Sequence, residues 1–145
     1  MPSAAARRAA SVVLPTMAAA LERRQLDADN HRSRPLTSDE VESSRLVISM
    51  TEEHRHAVNR MVPSVVARSY TLPEIDRLVS SDHWAPEWDG TADAFERLRG
   101  LRPLVPGPDQ PEDVVDPAGH SQAIAVAVLH ELLDRVTRVS GHLFG

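Results

Sequence analysis

Hydrophobic positions change their period several times along the chain, and each change predicts an element. Arg45-Leu46-Val47-Ile48-Ser49-Met50 holds a short continuous apolar run. Such a run suits a strand covered on both faces, as in a parallel sheet. Thr51 follows as a helix cap, with Glu52 and Glu53 in the first turn, where the helix dipole favours negative charge. Ala57, Val58, Met61 and Val62 recur at helical spacing until Pro63 stops the run. Residues 64–67 predict a further helical turn, and Ser69-Tyr70-Thr71-Leu72 predicts a second short strand. Pro73 suits the first position of a following helix that turns Ile75, Leu78 and Val79 inward.

The flanks are patterned unevenly. Residues 1–13 are rich in Ala and Arg and read as irregular. Residues 16–25 predict a helix capped by Thr16, with Met17 and Leu21 on one face. A polar connector leads through Pro35 to Thr37-Ser38-Asp39-Glu40, whose capping-box spacing predicts a short helix. Residues 80–112 are rich in Pro, Gly and Asp and read as a loop-rich insert. One helix is expected inside it, from Thr91 as N-cap to Gly100 as C-cap, with Phe95 and Leu98 on its apolar side. Trp84 and Trp88 are expected to fold back onto the domain. The strongest helical pattern covers residues 121–139, where Ile124, Val128, Leu132, Val136 and Val139 form a stripe. Strands alternating with helices predict an α/β fold with a parallel sheet.

Composition narrows the function classes. A chain of 145 residues without repeats is one domain by the usual prior, here residues 14–139 with a tail at 140–145. Hydrophobic content of 41% with 26% charged residues fits a globular chain, and only 3% aromatics makes the core aliphatic. A net charge of −5 argues against nucleic acid or an anionic membrane surface as partner. No apolar run approaches the ~18 residues of a spanning helix. Arg7 and Arg8 precede an apolar stretch broken at Pro15, which does not read as a signal peptide, so the cytoplasm is the default location. Every basic side chain is Arg, which coding bias explains. The cysteine count of 0 excludes disulfides, thiolate metal sites and thiol catalysis within these residues.

Candidate chemistry is sparse. Asp113-Val114-Val115-Asp116-Pro117-Ala118-Gly119 precedes the last helix. Taken alone, Asp116 reads as a turn or cap residue and Asp113 as a solvated loop carboxylate. His54 and His56, two apart on a helix, point different ways and suggest no metal site. His120, His130 and His142 read as surface residues. Arg32 and Arg34 suit either phosphate contact or a solvated connector, and Ser33 and Ser49 have no triad partners. No cofactor is implied.

Three segments fall in a telling order: His31-Arg32-Ser33-Arg34-Pro35-Leu36-Thr37, then the strand into Met50-Thr51-Glu52-Glu53-His54-Arg55, then residues 113–119. With Tyr70-Thr71-Leu72 they resemble the low-molecular-weight protein tyrosine phosphatases of actinobacterial type, over roughly residues 14–139. The resemblance implies a four-stranded parallel sheet between helices. It also implies a Cys-x5-Arg loop whose backbone N–H groups and arginine hold a phosphoryl group. A thiolate attacks phosphorus to form a phosphocysteine, and an Asp of an Asp-Pro loop protonates the leaving oxygen. By position, Asp116 is that acid.

Nothing in residues 1–15 matches the family's first strand, phosphate loop or first helix. The resemblance therefore implies a partial fold that begins after the first two strands, and an amino-terminally truncated or degenerate chain that is inactive as it stands. Its partner would be a phosphotyrosine protein if a phosphate loop completed the site. An open edge on the strand at Leu46-Val47-Ile48 would favour self-association. Two alternatives stand beside this reading: a non-catalytic interaction module, and a truncated relative of the arsenate reductases, whose chemistry also needs thiols.

Overall fold

The computed structural model of the chain describes residues 15–27, 29–30, 32–84 and 93–144. The expected irregular start, the Thr91 cap and Trp88 lie outside the described residues. The chain divides into two compact units, Met1–Thr37 with Val115–Leu133 and Ser38–Val114 with Asp134–Gly145.

In the first unit, helix α1 spans Pro15–Arg23. It ends two residues before the expected boundary because Gln25 adopts a left-handed φ of 60°. Leu26 N then donates to Leu21 O and Gln25 N to Glu22 O, both at 2.9 Å. This double closure satisfies the last carbonyls of the helix.

The second unit begins with helix α2, Ser38–Ser43, which starts where the capping-box spacing placed it. Arg68 closes its far end by donating from Nε to Ser44 O at 2.8 Å and from Nη2 to Glu42 O at 2.9 Å. Strand β1, Val47–Ser49, leads into helix α3, Glu52–Met61. A 3₁₀ helix over Pro63–Arg68 then leads to strand β2, Ser69–Thr71, and directly to helix α4, Leu72–Val79. The strands form a two-stranded parallel sheet in which Val47 pairs with Ser69, Ile48 with Tyr70 and Ser49 with Thr71. The α/β class and parallel pairing match the expectation.

Coverage of the strands differs from the expectation in one respect. All of β2 is buried, but Ile48 of β1 is 38% exposed. The apolar run of β1 therefore does not lie between two covered faces; a short run cannot by itself show which neighbours cover it.

Val41, Val58, Val62 and Val65 form one apolar cluster, with Val47 packed against it. Ile75, Leu78 and Val79 of α4 are buried, as their spacing predicted. Each such side chain contributes about 1.5–3 kcal/mol relative to exposure. Helix α5 spans Ala94–Leu101 and buries Ala94, Leu98 and Leu101. Its cap is Asp93, whose Oδ1 accepts from Glu96 N at 2.9 Å. Trp84 stands edge-on to His142, with ring centroids 5.9 Å apart, and Arg97 lies 5.0 Å over its ring.

Helix α6 spans Gln122–Phe144 and runs beyond the expected end at residue 139. Its buried positions are Ala125, Val128, Leu129, Val139 and Leu143, whereas Ile124 and Val136 are 40% and 42% exposed. The expected stripe drifts because steps of four residues overshoot a turn of about 3.6 residues. Arg138 joins α6 to α4 through Nε and Nη2, at 2.9 and 2.8 Å from the two carboxylate oxygens of Asp76. Among the described residues, no helix is long and apolar enough to cross a membrane.

Candidate functional site

The Asp-Pro loop precedes α6 in the first unit. Asp116 is exposed, and its Oδ1 accepts from Ala118 N at 2.9 Å. His120 N closes a turn onto Pro117 O at 3.1 Å, with Gly119 at φ 76°. A residue with a Cβ is strained at such a φ, so Gly119 shapes this turn. Ser121 Oγ then accepts from Ile124 N at 3.4 Å and caps α6. The carboxylate of Asp116 thus belongs to an exposed residue in a short turn of defined shape, with Oδ1 engaged locally.

Asp113, in the second unit, is exposed, as a loop carboxylate was expected to be, and it also caps a helix. Its Oδ1 accepts from Glu52 N, the first residue of α3, at 2.8 Å. Thr51 Oγ1 accepts from His54 N at 3.1 Å, so two groups of opposite sequence origin satisfy the free N–H groups of this helix start. Val114 N donates to Met50 O at 2.8 Å and fixes the same segment beside the end of β1.

The remaining candidates are scattered. Arg32 donates from Nη1 to Asp29 O at 3.0 Å, and Arg34 is exposed. Ser33 is half-buried and Ser49 lies buried in β1. His54 is exposed, while His56 Nε2 lies 3.6 Å from Glu52 Oε2. His130 Nδ1 contacts Arg24 Nη2, and His142 packs against Trp84. No three His, Asp or Glu side chains converge as a metal site would require, among the described residues.

A cleft of about 490 Å³ lies in the second unit, where both strands run into their helices. Glu52, Arg55 and His56 of α3, Glu74 and Arg77 of α4, and Arg102 line it together with residues 107–112. Open α/β sheets bind ligands outside the carboxyl ends of their strands, and this cleft occupies that position. Its cations are already matched. Arg55 Nη2 donates to Glu52 Oε2 at 2.7 Å, and Arg77 Nε lies 3.0 Å from Glu112 Oε1. Arg102 engages Glu74 with two donors, at 2.7 and 3.0 Å, and also donates to Ser69 O at 2.6 Å. Its guanidinium lies 4.1 Å over the Tyr70 ring.

Burial pulls the Arg102 pKa down, but its hydrogen bonds and charge pairing with Glu74 outweigh that and raise it. Burial pushes the Tyr70 phenol up, against the opposing field of Arg102. Neither group titrates near neutrality, so this floor is held by fixed charges. The sequence reading missed the whole constellation, because Glu74, Arg77, Arg102 and Glu112 come from segments with no shared spacing. The available signal was Gly107 among prolines, a mark of close backbone approach.

No protein-family model and no curated protein matches this sequence. Solved structures do match, and they define the class: the fold is that of the low-molecular-weight protein tyrosine phosphatases. The tyrosine phosphatase AmsI of Erwinia amylovora superimposes with a TM-score of 0.64 at 17% identity, over 94% of this chain and 69% of that one. A mutant of YwlE from Bacillus subtilis gives 0.63 at 21% identity, over 95% of this chain and 72% of that one. Wzb of Vibrio vulnificus, in complex with benzylphosphonate, gives 0.58 at 15% identity, over 90% of this chain and 67% of that one.

Proposed function

We propose that this chain is a low-molecular-weight-phosphatase-like protein that carries the general-acid part of phosphomonoester hydrolysis, with Asp116 as the acid. The observation that carries this reading is the turn that presents Asp116 immediately before α6 on a phosphatase fold. In the reaction, a thiolate attacks phosphorus, the ester P–O bond breaks, and the acid gives its proton to the leaving oxygen. Water then attacks the phosphocysteine, the P–S bond breaks, and the same carboxylate accepts the water's proton. The 145 residues contain no cysteine, so they supply no nucleophile for the first step. The chain alone is therefore inactive, and a Cys-x5-Arg segment is needed for turnover. Phosphotyrosine proteins are the substrate class by analogy with the tyrosine phosphatase AmsI. YwlE is described as an arginine phosphatase, which makes phosphoarginine the competing substrate class.

The experiment has two arms. The chain as it stands, given an aryl phosphate, releases no phenol above background; turnover lost in Asp116→Asn would overturn the requirement for a thiolate. A chimaera then places the strand, cysteine loop and first helix of AmsI ahead of this chain. If Asp116 is the acid, Asp116→Asn lowers kcat of an active chimaera by about 10²-fold or more, within the usual range for acid catalysis. Equal rates for the two chimaeras would remove Asp116 from the mechanism.

A second reading is favoured by the exposure of Ile48 on a sheet of two short strands. Two strands make a marginal sheet, and an apolar edge is a template for another. On this reading the chain is a non-catalytic interaction module whose β1 edge pairs with a second copy. Sedimentation of the wild type and Ile48→Lys tests it: a dimer that the substitution dissociates supports pairing, and a monomeric wild type at high concentration excludes it.

A further inference from the structure

One wall of the 490 Å³ cleft is a segment without apolar anchors. Residues 106–111, Pro-Gly-Pro-Asp-Gln-Pro, are all exposed. Three of the six are prolines, which have no N–H to donate. Neither core packing nor a backbone ladder explains why this segment holds its place. Its two ends instead converge on one side chain. Arg77 Nη1 donates to Val105 O at 2.7 Å and to Pro106 O at 3.2 Å. Arg77 Nε reaches both oxygens of Glu112, at 3.0 and 3.1 Å. Between these anchors Gly107 lies against the same guanidinium. A Cβ at that position would stand 3.1 Å from Arg77 Nη2 and 3.4 Å from Glu112 Oε1.

We propose that Arg77 is a latch that holds residues 105–112 closed as a strap along the cleft, and that releasing it opens the cleft without unfolding the helices around it. The parts on either side of the strap are secured independently. Ile75, Leu78 and Val79 anchor α4, the helix that carries Arg77, by burying its other face, and they do so whatever the guanidinium touches. Arg102 and Glu74 hold the floor with their own paired hydrogen bonds. Immediately after the strap, Asp113 accepts from Glu52 N and Val114 N donates to Met50 O, so opening stops there. The Arg77 and Glu112 side chains are 25% and 21% exposed. Water competes at such a pair, which makes it the weakest point along the wall. The three prolines stiffen the strap, so it swings from its ends instead of fraying. The latch does not depend on phosphatase chemistry, since Asp116 takes no part in it.

Amide order parameters on the full chain test the proposal, since rigid backbone gives about 0.85 and mobile backbone falls below about 0.6. In the wild type, the amides of Gly107, Asp109, Gln110 and Glu112 are expected at the rigid end. In Arg77→Gln they are expected to fall below about 0.6, while those of Leu78 and Val114 stay rigid. Gly107→Val, which crowds the guanidinium and leaves every charge in place, is expected to produce the same local pattern. If Arg77→Gln does not fold, Gly107→Val and Glu112→Gln are read in the same way. A strap already mobile in the wild type would overturn the latch. So would a strap that stays rigid in the folded variants, or a loss of order that spreads to Leu78 and Val114.

Discussion

Strands β1 and β2 enter their helices by the same local grammar, yet the two junctions end in different surroundings. Each strand leads to a threonine, Thr51 two residues beyond β1 and Thr71 at the end of β2, whose hydroxyl accepts from the backbone three residues on, His54 N at 3.1 Å and Glu74 N at 3.2 Å. Each helix then has a glutamate in its first turn that pairs with an arginine. At β1–α3 the arginine is Arg55, one turn along the same helix, and the junction is half-exposed. At β2–α4 it is Arg102, from beyond α5, and Thr71, Leu72, Pro73 and Glu74 are all buried. The first junction borrows a second cap from Asp113, while the second is sealed by packing. Equal local signals thus give a half-exposed junction at one wall of the cleft and a buried backbone junction at its floor.

Substitutions test that contrast, beginning with the largest effect. Leu78→Ala on the buried face of α4 is expected to cost about 3 kcal/mol in urea denaturation, within the range for cavity-forming changes. Met61→Ala on the exposed side of α3 is expected to cost no more than about 0.5 kcal/mol. Similar losses would show that α3 and α4 are equally embedded. Next, Glu74→Gln leaves Arg102 partly buried without its carboxylate, and a loss of about 2–3 kcal/mol is expected after allowing for that partial exposure. Glu52→Gln, at a more exposed carboxylate whose partner lies one turn along the same helix, should cost less than about 1 kcal/mol. Thermal unfolding of the two variants ranks the ion pairs directly.

The caps should differ less. Thr71→Ala is expected to cost about 1–2 kcal/mol and Thr51→Ala about 0.5–1 kcal/mol, because Asp113 still satisfies a neighbouring N–H of α3. Removing Thr51 and Asp113 together should then cost more than the sum of the single changes, a non-additivity that a double-mutant cycle measures.

Helix α5 supplies a titratable version of the same cap and the smallest effect. The hydrogen bond from Glu96 N, aided by Arg45, holds the Asp93 carboxyl below the usual carboxylate value near about 4. A lowered folded-state pKa adds stability that is fully present above the unfolded value and is lost as pH falls through the folded one. Asp93→Asn should flatten that part of the acid limb of the stability curve by lowering stability slightly at neutral pH and leaving it unchanged at low pH. An unaltered acid limb would show that the cap contributes no pH dependence.

Much of the fold was legible because its signals are local. The apolar run at Leu46-Val47-Ile48, the caps at Thr51 and Thr71, Pro63 as a stop and Pro73 near a helix start each act within a few residues. The candidate acid was legible for the same reason, since Asp116, Gly119 and Ser121 form consecutive turns and a cap. The cleft was not. Arg77 finds Glu112 across 35 residues of sequence and Arg102 finds Glu74 across 28, and nothing in the spacing of these residues announces the pairing. The stripe on α6 held at Val128 and Val139 but failed at Ile124 and Val136, because a count of apolar residues does not say which side meets a neighbour. Ala125 is buried while Ile124 stands exposed.

The sequence by itself determined the order of strands and helices, the parallel α/β class, the carboxylate of the Asp-Pro loop and that these 145 residues hold no thiolate nucleophile. These follow from side-chain period, backbone restriction and residue chemistry, which act locally or not at all. Only the tertiary structure decided that Asp113 caps α3 while remaining exposed, that Ile48 lies partly uncovered, and that one guanidinium gathers both ends of the 105–112 strap. Charge pairing and burial depend on distance through space, and distance along the chain does not encode it.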